Sequence, residues 1–339
     1  MAKTALIIGG TGLIGQALVS HLDKKGWEVT VISRGRRPSP TNSARHVVLD
    51  RADTEGLRQI AAKGFDAIFD IVAMSAAEAT QLTTLSDQTG TLIVVSSAAV
   101  YADEKGDSIL NSTRDRPVPI AETHSTVAPV DELNYPASKS NVERIVLEGS
   151  TCPVTVIRPG AIYGPGDLAS REWHFVKRAL DNRPWIVLAF HGRSVFHQVS
   201  SINVAALAGL AAEQPGTRTL NVGDEHPRTV LETAWLIARE MGHERAEYLI
   251  DAPLDGGVGE TPWSTPQPLA LDLRAAKELG FEAQSPEQTI ATTCRWLTTT
   301  VADADWKEAL PKAAKYYGDL FDYETEDRFV ATIPRSPTR

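Results

Sequence analysis

Short apolar runs alternate with longer, helix-spaced apolar patterns along this chain of 339 residues. Ala5-Leu6-Ile7-Ile8, Val29-Thr30-Val31-Ile32, Val47-Val48-Leu49, Leu92-Ile93-Val94-Val95 and Val154-Thr155-Val156-Ile157 have strand length and few polar interruptions. Such runs predict strands buried on both faces, as in a parallel sheet. Ala67-Ile68-Phe69-Asp70-Ile71-Val72 reads as another, with Asp70 as a satisfied buried carboxylate that has no catalytic role. Between the first two runs, Leu13, Ile14, Ala17, Leu18 and Leu22 recur on one helical face. Val142, Ile145, Val146 and Leu147 mark a second helix, and an alanine-rich third runs from Val204 to about Glu213. Leu220-Asn221-Val222-Gly223 returns to the sheet. The alternation predicts an α/β fold, a doubly wound parallel sheet with a smaller C-terminal domain. The expected boundaries are 1–166 with 195–225 returning to it, 167–194 and 226–300 for a second, substrate-binding part, and 301–339 for an extension beginning with a helix that carries Trp306 and Leu310.

The turn after the first strand is Gly9-Gly10-Thr11-Gly12-Leu13-Ile14-Gly15. Glycines there let the backbone turn tightly and approach a pyrophosphate, while the helix start offers unpaired N–H groups to its charge. Strand, glycine turn and helix in this order predict a Rossmann-type dinucleotide site at Gly9, Thr11, Gly12, Leu13, Ile14 and Gly15; the alternative is a plain tight strand-to-helix turn. The second strand is followed by Ser33-Arg34-Gly35-Arg36-Arg37, with no carboxylate. An acid at this point would accept from the ribose hydroxyls of NAD, whereas guanidinium forks match the 2′-phosphate of NADP. Ser33, Arg34, Arg36 and Arg37 therefore favour NADP(H) over NAD(H). Asp50, ending the third strand, is suited either to the adenine amino group or to capping the next helix. Ala73 is small enough at the end of the fourth strand to let backbone approach the cofactor.

Ser96-Ser97 ends the fifth strand, where ligands of an open parallel sheet gather, although serines are also common turn residues. A polar, proline-containing loop from about Asp103 to Glu132 follows, and loops of that length in compact domains are usually functional. Tyr135 and Lys139 come next, four apart and so on one helical face. A cation beside a phenol lowers its pKa from the usual ~10 and suits it to proton transfer.

A glycine turn, a serine at a later strand end and Tyr-x-x-x-Lys form an ordered set. Together with Ser96 to Tyr101, Tyr135 to Lys139, Val156 to Gly166, Leu220 to Gly223 and Leu271 to Phe281, they resemble the short-chain dehydrogenase/reductase superfamily. The likeness is to its extended or atypical-extended branch, the NAD(P)-dependent epimerase/dehydratase family, over roughly residues 3–298. The resemblance implies Ser97 as the catalytic hydroxyl, Tyr135 as general acid/base, and Lys139 as holder of the nicotinamide ribose and tuner of Tyr135. It implies that Pro159, Gly160 and Ile162 line the nicotinamide end. Homodimerisation through helices near 76–88 and 135–148 is an expectation from the same analogy.

The departures from the pattern narrow the expectation. Dehydratases of the branch carry Asp-Glu after the catalytic Ser/Thr, where this chain has Ala98-Ala99. Sugar-nucleotide enzymes usually carry asparagine where this chain has Ala161, and an arginine before a Val-Asp-Asp that here reads Val199-Ser200-Ser201. The expected function is an NADP-dependent oxidoreductase acting on a carbonyl or secondary alcohol of a small molecule. The alternatives are an NAD(P)-dependent sugar or sugar-nucleotide epimerase and a non-catalytic NADP(H)-binding regulator or RNA-binding relative.

Composition limits the partners. The net charge of −9 argues against nucleic acid or an anionic membrane. Cys152 and Cys294 have no metal-ligand spacing, so no metal is expected, and they read as small core residues in a reducing compartment. With no leader-like segment before the first strand and no 18-residue apolar run, the expected location is cytoplasmic.

Overall fold

The computed structural model describes residues 2–36, 43–110, 112–129 and 134–333. Arg37 lies outside them. The chain runs β1 (Thr4–Ile8), α1 (Leu13–Lys24), β2 (Glu28–Ser33), β3 (Arg45–Val48), α2 (Thr54–Ala61), β4 (Ala67–Asp70), α3 (Ala76–Leu85), β5 (Leu92–Val95), α4 (Tyr135–Gly149) and β6 (Val154–Pro159). It continues through β7 (Ala161–Tyr163), α5 (Trp173–Leu180), β8 (Trp185–Leu188), β9 (Gln198–Ser200), α6 (Ser201–Glu213), β10 (Arg218–Val222), α7 (Val230–Met241) and β11 (Ala246–Leu249). It ends with α8 (Arg274–Glu278), α9 (Pro286–Val301), α10 (Trp306–Ala309), α11 (Pro311–Tyr317) and α12 (Tyr323–Thr332). Two compact units divide it: Met1–Ile162 with His197–His226 and Leu269–Gln284, and Tyr163–Phe196 with Pro227–Pro268 and Ser285–Arg339.

The first unit holds a seven-stranded sheet of order β10-β6-β5-β4-β1-β2-β3, with every neighbouring pair parallel. Strand side chains alternate between faces. Ala5, Ile7, Val29, Val31, Phe69, Ile93 and Val95 share one face with the buried sides of α1 and α6. Leu6, Ile8, Ile32, Ile68, Leu92, Val94 and Val156 share the other with α2, α3 and α4. Burial on both faces is why these strands read as unbroken apolar runs. The order reverses between β1 and β4, and in such sheets ligands bind at the carboxyl ends beside that switch.

Two boundaries differ from the sequence expectation. The fourth strand stops at Asp70 and does not continue to Val72. The Asp70 carboxylate accepts from the N–H of Val72 (2.8 Å) and Ala73 (2.7 Å) and folds the chain into a turn. The alanine-rich helix begins at Ser201, three residues early, because Ser200 Oγ caps Asn203 N.

In the second unit, β8 and β11 pair in parallel, and the rings of Phe175 and Trp263 stack at 5.6 Å. Helix α12 is fastened there by Arg183 to Asp327, by Arg178 to Glu326 (3.5 Å), and by Tyr323 Oη donating to Asp181 (2.6 Å). Among the described residues no helix is long and apolar enough to cross a membrane.

The turn after β1 gives a stability test. A Cβ on Gly15 would fall 2.3 Å from the carbonyl oxygen of Gly9, which is backbone and cannot yield. Gly12 has only that oxygen within 4 Å, at 3.7 Å. Gly15→Ala is expected to cost about 1–3 kcal/mol, as for overpacking, and Gly12→Ala clearly less. Urea unfolding of both variants measures the difference.

Candidate active site

The glycine turn is built by close approach. Gly9 adopts φ +95°, a region that favours glycine, and its N–H donates to Ile32 O at 3.0 Å. Gly12 is the N-cap of α1 and brings no capping side chain, so the first-turn N–H groups, which have no intrahelical acceptor, stay available. Ile14 turns its side chain into the core and has only its backbone to offer a ligand. Thr11 and Leu13 are half-buried at the same turn, where Thr11 O accepts from Gln16 Nε2. An uncapped helix start with open space over Gly12 fits a dinucleotide pyrophosphate.

At the end of β2, Ser33 Oγ lies 2.7 Å from His46 Nε2 and accepts from Gly35 N at 3.2 Å. Arg34 and Arg36 are exposed. Asp53, not Asp50, caps α2 by accepting from Gly56 N. Asp50 instead closes a short turn by accepting from Ala52 N at 3.0 Å, which removes the capping alternative.

The three catalytic candidates meet. Ser97 follows β5 and its Oγ accepts from Ala99 N at 3.1 Å. Tyr135 and Lys139 occupy the first turns of α4. The Ser97 side chain stands against the Tyr135 hydroxyl and pulls its pKa down. The Tyr135 side chain is 45% exposed. Lys139 is 4% exposed, and its Nζ donates to Ala73 O and Val95 O, each at 2.9 Å. Ala73 thus uses its carbonyl to hold the lysine. Burial lowers the Lys139 pKa to about 8, against the opposing pull of Asp70, Glu143 and Glu78. The Tyr135 pKa moves up, the reverse of the expected lowering. Burial around the hydroxyl raises it, the Ser97 side chain opposes, and the lysine faces the two carbonyls. Ser96 Oγ is buried at the same strand end with no partner among the described residues, a polar atom that a ligand would satisfy.

Two ion pairs beside the predicted residues support this set. Asp70, fully buried, pairs with Arg51 at 2.8 Å, and Arg51 also meets Glu78 at 3.1 Å. Glu143, one turn beyond Lys139, holds Arg158 at 2.6 Å with both side chains buried. The Arg158 guanidinium lies 4.8 Å from the centroid of the Tyr101 ring, whose hydroxyl donates to Asn221 Oδ1 at 2.6 Å. The (i, i+4) spacing from Lys139 was the one available signal for Glu143. Pro159 ends β6 opposite Val222, Gly160 donates its N–H to Val222 O, and Ile162 packs on the sheet face shared with α1. Among the described residues no cluster of metal-ligating side chains is present.

The family described as the NAD dependent epimerase/dehydratase family matches residues 5–223. The chloroplast stem-loop binding protein of 41 kDa b of Arabidopsis thaliana is 28% identical over 275 residues, covering 76% of this chain and 68% of that protein. A UDP-glucose 4-epimerase of Thermotoga maritima, solved with UDP-glucose, superposes with a TM-score of 0.67 at 21% identity, over 88% of this chain and 99% of that one. A UDP-N-acetylglucosamine 4-epimerase of Methanobrevibacter ruminantium, solved with UDP-N-acetylmuramic acid, gives a TM-score of 0.69 at 18% identity, over 88% and 99%. At these identities the two structures share the fold.

The influence of Ser97 on Tyr135 can be tested without a substrate. It pulls the phenol pKa down, so Ser97→Ala is expected to move it further up. The alkaline absorbance titration component that disappears in Tyr135→Phe reports that pKa.

Proposed function

The chain belongs to the NAD dependent epimerase/dehydratase family and is an NAD(P)-dependent enzyme of the extended short-chain dehydrogenase/reductase type; from that premise we propose that it is an NADP(H)-linked oxidoreductase acting on a carbonyl or secondary alcohol of a small molecule. The observation that carries the reading is the Ser97 side chain acting on the Tyr135 hydroxyl, with Lys139, held by Ala73 O and Val95 O, one turn further along the same helix. Bound NADP(H) supplies or removes the hydride. The Ser97 hydroxyl orients the substrate oxygen. Tyr135, whose raised pKa keeps the phenol protonated near neutral pH, gives its proton to that oxygen as negative charge develops. Lys139, with two of its three donors on Ala73 O and Val95 O, has one left for the ribose. Gly9, Gly12 and Gly15 carry the pyrophosphate turn, and Arg34, Arg36 and Arg37 answer the 2′-phosphate.

The family favours a second reading, an epimerase in which the same three residues serve a transient oxidation. Ala161 in place of the asparagine usual in sugar-nucleotide enzymes weighs toward simple reduction, and Ala98-Ala99 in place of Asp-Glu weighs against dehydration. The stem-loop binding named for the Arabidopsis relative suggests a nucleic-acid role, against which the net charge of −9 counts. Two free thiols, Cys152 and Cys294, support placement in the cytoplasm.

Fluorescence titration tests the cofactor. NADPH is expected to bind more tightly than NADH, and Arg34→Ala with Arg36→Ala and Arg37→Ala to abolish the preference. Equal affinities in the parent protein would overturn the NADP assignment. With a panel of carbonyl compounds, net NADPH consumption supports the reductase. Tightly retained cofactor without net consumption supports the epimerase. Tyr135→Phe is expected to keep NADPH binding and lose about 10²–10⁴-fold in turnover.

A further inference from the structure

We infer that Asp70, with its partner Arg51, is a positioning residue for Lys139: it folds the Val72–Ala73 turn whose carbonyl holds the ammonium and places a buried negative charge behind that turn. The inference rests on the cofactor role proposed above for Lys139. Asp70 Oδ1 accepts from both Val72 N and Ala73 N, and the carbonyl of Ala73 then accepts from Lys139 Nζ. One carboxylate therefore fixes the residue whose carbonyl holds the lysine. The other oxygen, Oδ2, takes Arg51 Nη1 at 2.8 Å. Arg51 is itself tied to Glu78 and to Gln81 on α3, so the turn after β4 is held from two sides.

The charges around Lys139 come from every element packed on it. Asp70 at the end of β4, Glu78 on α3 and Glu143 on α4 favour the ammonium, while Arg51 opposes it. Arg158 on β6 occupies Glu143, and Tyr135 stands one turn before the lysine. Among the charges acting on Lys139, Asp70 is the largest. Sequence-distant side chains thus decide at which pH the lysine can hold a polar ligand as a cation.

The test is the pH dependence of NADPH affinity, read by fluorescence titration on the full chain. The ammonium is charged below about 8 and neutral above it, so affinity is expected to fall on the alkaline side of that value. Asp70→Asn keeps the acceptor for the turn and removes the charge. Its break is expected at lower pH, with affinity on the alkaline limb weaker by about tenfold for each pH unit of displacement. Arg51→Gln removes the opposing cation and is expected to move the break to higher pH. Lys139→Met removes the break in every background. A purely structural role for the pair would shift neither break. Unmoved breaks, or movement of both in one direction, would overturn the inference. Should Asp70→Asn not fold, the direction of the Arg51→Gln shift decides alone. Absence of NADPH binding in the parent protein at any pH would instead remove the cofactor reading, and this inference with it.

Discussion

The structure of the site depends on one buried cation. Lys139 leaves water almost completely, and an isolated ammonium would not tolerate that. Two carbonyls accept hydrogen bonds from it, Ala73 O after β4 and Val95 O at the end of β5. The lysine therefore ties helix α4 to the ends of two central strands. Ser97 lies two residues beyond Val95, and Tyr135 lies one turn before Lys139. Their hydroxyls meet because the lysine has already fixed strand end and helix relative to each other. Without that clamp, the (i, i+4) spacing would bring Tyr135 and Lys139 to one face but would not bring Ser97 to them.

The sheet makes the clamp affordable. Alternate side chains of β1, β4, β5 and β6 enter two separate apolar layers, so the strands are covered on both sides and their carboxyl ends form one edge. The order reverses between β1 and β4, which puts the glycine turn and the turn holding Ala73 side by side. Close packing enforces this locally: the Cβ absent from Gly9 would strike Val72 Cγ1 at 2.6 Å. The glycine turn and the lysine-holding turn are thus packed against each other. A change in either is felt by both.

Much of this was legible in the chain. The central strands stand out because burial on both faces makes them continuous apolar runs, and the glycine turn because its spacing answers a backbone requirement. Tyr135 and Lys139 are legible because helical spacing is local. The rest depends on partners far away in sequence. The apolar run at 67–72 gave no sign that Asp70 would end the strand, since that needs the carboxylate to turn back onto Val72 and Ala73. Asp50 read as a cap because the sequence leaves the start of α2 open, and Asp53 takes that place. The direction of the Tyr135 pKa was misread for a similar reason. Spacing puts a lysine near a phenol, but two carbonyls from other strands decide where its ammonium points, and burial then governs the phenol.

Two buried ion pairs flank Lys139, Arg51–Asp70 on one side and Arg158–Glu143 on the other. Burying such pairs is at best weakly favourable, because desolvation consumes most of the attraction, and well-packed apolar residues often do as well. Stability alone is thus a poor account of them. What they do supply is direction. Asp70 orients two N–H groups and through them one carbonyl. Arg158 donates three hydrogen bonds to Glu143 and lies against the Tyr101 ring, and Tyr101 is in turn fixed to Asn221. Apolar substitutes of equal volume would fill the space and leave the Ala73 carbonyl and helix α4 free to shift by fractions of an ångström. Proton transfer between fixed groups is sensitive to shifts of that size. The placement of these charges, one turn and one residue away from the lysine, serves fixed geometry around it, which a merely stable core does not require.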